Sequence, residues 1–166
     1  AWKVAELAHA EGAEFVLTNA PVAMRMGEIN KLAEATGSSI IGADATKDED
    51  LEALFQGAQD KLGGQVDFVL HSIGMSPNVR KGKTYDDLNY EWYKQTLDIS
   101  AMSFHRMIQS AVKQDALADG GSIVALTYIA AQRVFPGYND MADAKALLES
   151  IGRSWAITWA SVKRSA

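Results

Sequence analysis

Tyr138 and Lys145 are the two residues whose types and spacing most directly suggest chemistry. They bound the stretch YNDMADAK, with six residues between them. An α-helix turns by about 100° per residue, so positions seven apart differ by roughly 20° in azimuth and share one face two turns apart. If this stretch is helical, both side chains can point into one cleft. The same spacing also suits two residues on a solvated helix face, and the pair alone does not decide between these interpretations.

A tyrosine beside a lysine supports a definite kind of chemistry. A phenol with a reference pKa of about 10 can donate a hydrogen bond or a proton to an oxygen that gains negative charge. A nearby ammonium stabilises that charge, and its three donors can also bind sugar hydroxyls. Tyr128 places a second phenol at the end of the preceding predicted strand. Tyr128 equally suits a packing role with its hydroxyl at the rim of the fold, which is common for tyrosine.

The elements that must position these residues alternate along the chain. Short, nearly continuous apolar runs predict buried strands, and amphipathic patterns ended by glycine predict helices between them. The predicted strands are EFVLTNA, SSIIGADA, VDFVLHSIG and GGSIVALTYIA. The predicted helices cover residues 1–11, 21–36, 91–118 and 138–159, together with one that Thr46 or Asp48 caps and Gly63 ends; residues 77–90 are predicted as a loop. The alternation predicts an α/β fold with a mainly parallel sheet and helices on both faces.

Ligands of such sheets bind beyond the carboxyl ends of the strands. The residues there are Asn19 and Ala20, Asp44 and Ala45, Ser72 to Gly74, and Leu126 to Tyr128. Gly74 would let a ligand approach the backbone closely, although any parallel strand can end in Ser-x-Gly. Asp44 offers an acceptor that suits an adenine amino group or a backbone cap equally well. The residues therefore predict a cofactor-binding α/β domain with a Tyr/Lys site, without naming a reaction.

Composition bounds the class of protein. The chain has 166 residues, of which 48% are apolar and 22% charged, which predicts one compact globular domain. Sixteen basic and twenty-one acidic side chains give a formal charge of −5, and this balance argues against a nucleic-acid or anionic-membrane partner. The apolar runs are too short to cross a bilayer, so we expect a cytoplasmic protein without membrane contacts.

The amino-acid composition also argues against metal and thiol chemistry. The absence of cysteine removes disulfides, thiolate metal sites and a cysteine nucleophile, and suits a reducing compartment. The three histidines, His9, His71 and His105, are scattered rather than set at metal-ligand spacing, so no metal site is predicted.

Three stretches taken in order resemble a known family: HSIGMSPNVRKG, LDISAMSFHRM and GGSIVALTYIAAQRVFPGYNDMADAKALLES. They are similar to the NADH-dependent enoyl-acyl-carrier-protein reductases of bacterial fatty-acid synthesis, within the short-chain dehydrogenase/reductase superfamily, and most similar to Bacteroidetes-type members. The spacing Tyr-x6-Lys after LTY carries the resemblance, because the general superfamily uses Tyr-x3-Lys. The resemblance implies a Rossmann-like doubly wound parallel sheet in one dinucleotide-binding domain over residues 1–166.

The resemblance also implies an activity and its cofactor. Members of the family reduce the 2,3 double bond of trans-2-enoyl thioesters on acyl carrier protein with hydride from NADH, the last step of the elongation cycle. NADH is expected rather than NADPH because the family uses NADH. Charge does not support this choice, since no acidic residue follows EFVLTN and Arg25 could contact a 2′-phosphate. Family members commonly form homotetramers through their long helices.

Individual positions can be carried over from the family. Tyr138 matches the tyrosine that hydrogen-bonds the thioester carbonyl, and Lys145 the lysine that holds the nicotinamide ribose. Tyr128 matches the second active-site tyrosine, and Met141 a side chain of the acyl pocket. The remaining matches are to cofactor contacts: Asp44 and Ala45 at adenine, Ser72, Ile73 and Gly74 at ribose and pyrophosphate, and Leu126 beside the nicotinamide.

The chain departs from the family at both ends. The family's first strand, its glycine-rich turn and its last strands have no counterpart here, so the sequence predicts an incomplete domain in which strong dinucleotide binding is doubtful. Two alternatives stay open at this point. One is a short-chain reductase that acts on a carbonyl substrate, and the other is a non-catalytic, truncated form of the reductase.

Overall fold

The computed structural model describes residues 1–25 and 27–162, with side chains to residue 159, and these residues form four strands with one or more of eight α-helices between them. The strands are β1 Val16–Asn19, β2 Ser39–Gly42, β3 Val66–His71 and β4 Leu117–Ala125. The helices are α1 Trp2–Ala10, α2 Pro21–Met24, α3 Glu28–Thr36, α4 Asp48–Leu62, α5 Pro77–Arg80, α6 Tyr90–Leu97, α7 Ser103–Lys113 and α8 Asn139–Val162. The predicted α/β class is confirmed.

The strands are hydrogen-bonded in two pairs. β1 and β2 are parallel, with a register that runs from Val16 opposite Ser39 to Asn19 opposite Gly42. β3 and β4 form the second pair. The sequence predicted the strands but not this pairing, because strand neighbours are set by contacts between residues far apart along the chain.

The helix predicted over residues 21–36 is wrong as one element. It is divided into α2 and α3 by Gly27, whose φ of 77° is left-handed and cannot continue a right-handed helix. Met26, which the helical pattern predicts on one face with Ile29, Leu32 and Ala33, lies outside the described residues.

The helix predicted over residues 91–118 is also interrupted. A π-helical turn at Asp98–Met102 separates α6 from α7, and Asp115, with a φ of 47°, ends the helical segment before β4 begins. The predicted loop over residues 77–90 contains α5 and a short 3₁₀ turn at Tyr85–Asp87. Ser76 explains α5, since its hydroxyl accepts a hydrogen bond of 3.0 Å from the Val79 amide and so caps the helix.

The start of α4 differs from its prediction as well. Neither Thr46 nor Asp48 caps it, because Lys47 precedes the helix and Thr46 donates its hydroxyl hydrogen to Asp44 instead. Three acidic residues in the first turn, Asp48 to Asp50, face the positive end of the helix dipole and favour a start at this point.

The described residues group into two compact units. The first comprises Ala1–Leu70 and Arg106–Val124, where α3 and α4 contact the β1–β2 pair and bury Leu32, Leu51 and Phe55. The second comprises His71–His105 and the chain from Ala125 onward, and its centre is α8. The single dinucleotide-binding domain stays a prediction.

The buried face of α8 carries Met141, Ala144 and Leu148, spaced so that they lie along one side of the helix. This face contacts α6, the π-helical turn and a 3₁₀ turn at Ile129–Ala131. Burial of Leu148, which is 2% exposed, stabilises this packing by about 1.5–3 kcal/mol. None of the described helices combines the length and the apolar character that crossing a bilayer requires.

Candidate functional site

A hollow of about 250 Å³ lies within the second unit. Its walls come from the residues that follow β3, the residues that follow β4, and the beginning of α8. It is lined by Ser72, Ile73, Gly74, Leu126, Thr127, Tyr138, Met141 and Lys145. The structure thus brings together seven of the site residues that the sequence singled out, and adds Thr127, to which the sequence assigned no role.

Lys145 is the buried cation of this hollow. Only 7% of the residue is exposed, and its Nζ donates hydrogen bonds to the carbonyl oxygens of Leu126 at 2.8 Å and Ile73 at 3.3 Å. Burial lowers the pKa of Lys145, because removal from water disfavours the charged amine. Two carbonyls account for two of the three ammonium hydrogens, so one donor is left for a ligand.

Tyr138 is the residue just before α8, and it lines the hollow. The left-handed φ values of Asn139 (46°) and Gly137 (78°) prevent the right-handed helix from extending back to Tyr138. Tyr138 therefore lies in the turn before the helix that carries Lys145. The shared helix face predicted for the pair explains only in part why both side chains lie close together. Both side chains nevertheless line the same hollow.

The Tyr138 phenol is kept neutral by its surroundings. Burial raises its pKa above the ordinary value, and the neighbouring Tyr128 adds to the rise. A phenol in this environment retains its hydrogen at neutral pH and is a hydrogen-bond donor rather than a base.

Three aromatic rings form a cluster beside the hollow. The Tyr128 and Tyr138 ring centroids lie 4.7 Å apart, and Phe135 approaches Tyr128 at 5.4 Å and Tyr138 at 6.5 Å with near edge-to-face geometry. Tyr128 therefore supports Tyr138 from the side and is not itself among the lining residues. Sequence analysis missed Phe135, although an apolar pair before a Pro-Gly turn, VFPG, is the signal that could have found it.

The segment that carries Tyr128 is held to α8 by Glu149, a second residue that sequence analysis missed. Its two carboxylate oxygens accept hydrogen bonds from Thr127 Oγ1 at 2.9 Å and Gln132 Nε2 at 3.2 Å. Glu149 lies one helical turn beyond Lys145, and that i,i+4 spacing is the only signal for it in the sequence.

His71 is buried at the end of β3, next to the lining residue Ser72. The Ser103 hydroxyl donates its hydrogen to the Ile99 carbonyl at 2.7 Å, so at its 2.9 Å contact with His71 Nε2 it acts as the acceptor. The neutral ring then carries its proton on Nε2, and Nδ1 has no partner among the described residues. Burial, with the charge of Lys145 as the lesser cause, lowers the pKa of His71 to about 4.

Asp44 and Ala45 belong to the first unit. The Asp44 carboxylate accepts from the Thr46 hydroxyl at 2.7 Å and the Thr46 amide at 3.0 Å, and these bonds lower its pKa. Asp44 thus makes the local backbone cap that the sequence left open as one of two roles, while its Oδ2 retains acceptor capacity. In residues 1–25 and 27–162, histidine and acidic side chains nowhere gather in a set that could hold a metal ion.

Comparison with known proteins gives one family. The family described as Enoyl-(Acyl carrier protein) reductase matches residues 1–164. Enoyl-[acyl-carrier-protein] reductase [NADH] 1 of Rhizobium meliloti (strain 1021) is 35% identical over 158 residues, which are 95% of this chain and 57% of that protein. The chain therefore spans somewhat more than half the length of the curated relatives it matches.

Solved structures agree with this result. The crystal structure of FabI from Alistipes finegoldii is similar to the chain with a TM-score of 0.92 and 63% sequence identity, covering 95% of this chain and 60% of that one. A FabI-NADH complex from the same organism gives a TM-score of 0.93 at 63% identity, with 95% and 56% covered. The Rossmann-like fold is confirmed, and the higher identity to Alistipes agrees with the predicted Bacteroidetes-type resemblance.

Proposed function

The chain belongs to the enoyl-(acyl carrier protein) reductase family, and we propose that the protein reduces the 2,3 double bond of trans-2-enoyl thioesters carried by acyl carrier protein. The hydride comes from NADH, and the step closes each cycle of fatty-acid elongation. The observation that carries this proposal is the placement of Tyr138 and Lys145 in one hollow, with Gly74 and Leu126 in its walls.

The hollow, of about 250 Å³, suits the ribose and nicotinamide part of a dinucleotide. A Cβ added at Gly74 would lie 3.7 Å from Met141 Cε and 3.8 Å from Lys145 Nζ, so the missing side chain leaves space beside the lysine. Lys145 presents one ammonium hydrogen to this space, and a ribose hydroxyl is a matching acceptor. Ser72, Ile73 and Gly74 would hold ribose and pyrophosphate, and Leu126 would lie beside the nicotinamide. The adenine contact at Asp44 and Ala45 stays a prediction.

NADH, when bound, supplies the hydride that adds to the β-carbon of the enoyl thioester. This addition places negative charge on the thioester carbonyl oxygen, and uptake of a proton from solvent at the α-carbon completes the reduction. Tyr138 would donate its phenolic hydrogen bond to that oxygen and so stabilise the enolate more than the substrate, which is what accelerates the step. The raised pKa of Tyr138 fits this role, because a phenol that stays protonated is ready to donate.

The remaining site residues would shape the substrate position. Tyr128 would support the Tyr138 ring, and Met141, 7% exposed on the inner face of α8, would line the acyl chain. Lys145 would hold the ribose while its bonds to Ile73 and Leu126 fix the segments after β3 and β4. The homotetramer common in the family and a cytoplasmic location belong to the same proposal.

The test is a comparison of substrates with the purified protein. Oxidation of NADH or NADPH is followed by absorbance with a short trans-2-enoyl thioester and, separately, with a ketone of similar size. We expect turnover of the thioester with NADH at a higher kcat/KM than with NADPH, and no comparable turnover of the ketone. Preference for the ketone would replace the proposal with a carbonyl-reducing function, and binding of NADH without turnover of either would indicate a non-catalytic domain.

A further inference from the structure

Asp140 is a fully buried carboxylate two residues beyond Tyr138, in the first turn of α8. Its Oδ1 accepts a hydrogen bond of 2.7 Å from Ser76 Oγ. Its Oδ2 accepts from Asn78 Nδ2 at 2.9 Å and from Thr96 Oγ1 at 2.8 Å. A buried carboxylate is costly unless its oxygens are hydrogen-bonded, so this arrangement of three donors is a built feature of the unit.

The three donors come from different elements. Ser76 caps α5, Asn78 lies within it, and Thr96 lies in α6; each of them is at most 3% exposed. Thr96 Oγ1 also lies 2.8 Å from the Trp92 carbonyl oxygen, but the carboxylate is the stronger acceptor for its single hydrogen. Asp140 therefore joins the first turn of α8 to both α5 and α6.

Asn78 extends this network to the chain that leads into α6. Its Oδ1 accepts from the Asn89 amide at 2.9 Å, and its Nδ2 also reaches the Asn89 carbonyl at 3.1 Å. The segment from Ser76 to Asn89 is thus held at both ends. Asp140 bonds directly to Ser76 at one end, and its bond to Asn78 connects it to Asn89 at the other.

The residue between Tyr138 and Asp140 is held as well. Asn139 adopts a left-handed φ of 46° and donates from Nδ2 to the carbonyl of Lys83. Gly137, on the other side of Tyr138, also has a left-handed backbone. The two residues after Tyr138, Asn139 and Asp140, are therefore both held by side-chain hydrogen bonds. Asp140 is only two residues from Tyr138, so a displacement of its backbone would also move the phenol.

We propose that Asp140 is a positioning residue, whose hydrogen bonds to Ser76, Asn78 and Thr96 hold the first turn of α8 so that Tyr138 lines the hollow. The inference rests on the proposed role of Tyr138 as donor to the thioester oxygen. Asp140 does not line the hollow, so its effect on turnover passes through Tyr138 and not through contact with substrate or cofactor.

The first test uses a spectroscopic signature of Tyr138 that needs no turnover. 3-Fluorotyrosine is placed at residue 138 or, as a control, 5-fluorotryptophan is placed at Trp2 of α1 in the first unit, and ¹⁹F NMR spectra are recorded for the parent, Asp140→Leu and Asp140→Asn. Leucine removes every acceptor, whereas an asparagine amide can accept from Asn78 and Thr96 and donate to Ser76 Oγ. We expect Asp140→Leu to shift or broaden the resonance of residue 138 and leave that of residue 2 unchanged, and Asp140→Asn to give the parent spectrum.

A residue 138 resonance at the parent position in folded Asp140→Leu would overturn the proposal, as would equal changes at residues 138 and 2. Thr96→Val provides a milder variant if Asp140→Leu does not fold, because it removes one donor and keeps the side-chain shape. We expect a smaller change at residue 138 in Thr96→Val, and an unchanged spectrum there would also overturn the proposal.

Kinetics separate this inference from the function on which it rests. In the thioester assay we expect Asp140→Leu to lower kcat by at least about tenfold while the Kd for NADH stays within about threefold, with Asp140→Asn close to the parent. A changed spectrum with unchanged kcat would retain Asp140 as the residue that positions Tyr138 and refute the catalytic role of Tyr138. An unchanged spectrum with a lowered kcat would refute the positioning role alone.

Discussion

The ammonium of Lys145 donates a hydrogen bond of 2.8 Å to the carbonyl oxygen of Leu126. Leu126 follows β4, and its own amide donates to the His71 carbonyl at 3.0 Å. A side chain of α8 is thereby connected to the segments that follow β3 and β4, which form two walls of the hollow. The lysine proposed to hold the cofactor is also the residue that holds the surrounding backbone, so its effects on binding and on local structure must be measured separately.

Lys145→Met should weaken NADH binding and, through loss of the hydrogen bonds to Leu126 and Ile73, also lower the free energy of unfolding. Methionine keeps most of the apolar stem but removes the ammonium, and a hydrogen bond to a charged group contributes about 1.5–3 kcal/mol, which corresponds to a loss of affinity of at least about tenfold. Affinity is measured by titration of nicotinamide fluorescence, and folding by urea denaturation. The control is Lys94→Met, which removes an exposed lysine paired with Glu91 at 2.9 Å. Equal affinity in both variants would show that Lys145 does not contact the cofactor.

Gly74→Ala should occupy part of the hollow without straining the chain. The added methyl would meet Met141 and Lys145 at 3.7–3.9 Å, which is ordinary van der Waals contact. We expect the free energy of unfolding to change by no more than about 0.5 kcal/mol, while NADH binds more weakly because the methyl occupies the space beside Lys145. Gly64→Ala is a matched control, since its Cβ would meet nothing within 4 Å and lies outside the lining residues. Undiminished affinity in Gly74→Ala would place the cofactor elsewhere.

His71 should make the protein less stable in mild acid. Its pKa is about 4 in the folded chain against an ordinary 6.5, because protonation would put a charged ring in a buried site where Nδ1 has no described acceptor. The unfolded state therefore takes up a proton first as the pH falls below 6.5. The contribution of neutral His71 to stability is complete above that pH and is lost progressively down to about pH 4.

His71→Gln removes this titration and can still donate to Ser103. Between pH 7 and pH 4.5 we expect the parent to lose about 2–3 kcal/mol more stability than the variant, as follows from 1.36 kcal/mol for each unit of pKa difference. The measurement is the free energy of unfolding from urea denaturation at both pH values. Parallel losses in the two proteins would mean that His71 titrates normally in the folded state.

The order and type of the elements could be predicted because each depends on local pattern. The apolar runs around Leu17, Ile40 and Phe68 all lie in strands, and the glycines at positions 12, 37 and 63 end helices with left-handed backbone. Gly27 is an exception, since the apolar helical pattern continues through it while its left-handed backbone interrupts the helix. The π-helical turn at Asp98–Met102 was missed because its sequence continues the helical pattern on both sides.

The site was predictable where chain topology alone brings residues together. Residues after β3 and β4 meet near α8, which is what parallel α/β architecture requires. Asp140 and Phe135 could not be found this way. The donors to Asp140 lie 44 to 64 positions away in the sequence, and no local spacing signals that a carboxylate in a first helical turn is buried rather than solvated.

The role of the Tyr138 hydroxyl is tested most directly by comparing two phenylalanine substitutions. Tyr138 lines the hollow, whereas Tyr128, with its ring 4.7 Å away, does not. Each substitution removes one oxygen and keeps the ring, so Tyr128→Phe is the control for the aromatic cluster.

The measurement is kcat with a short trans-2-enoyl thioester, together with the Kd for NADH, for the parent, Tyr138→Phe and Tyr128→Phe. We predict that Tyr138→Phe lowers kcat by about 10²–10³-fold, the usual effect of removing one donor to a developing oxyanion, while the Kd for NADH changes little. Tyr128→Phe should lower kcat by much less. Turnover at the parent rate in Tyr138→Phe, with NADH binding intact, would contradict the account.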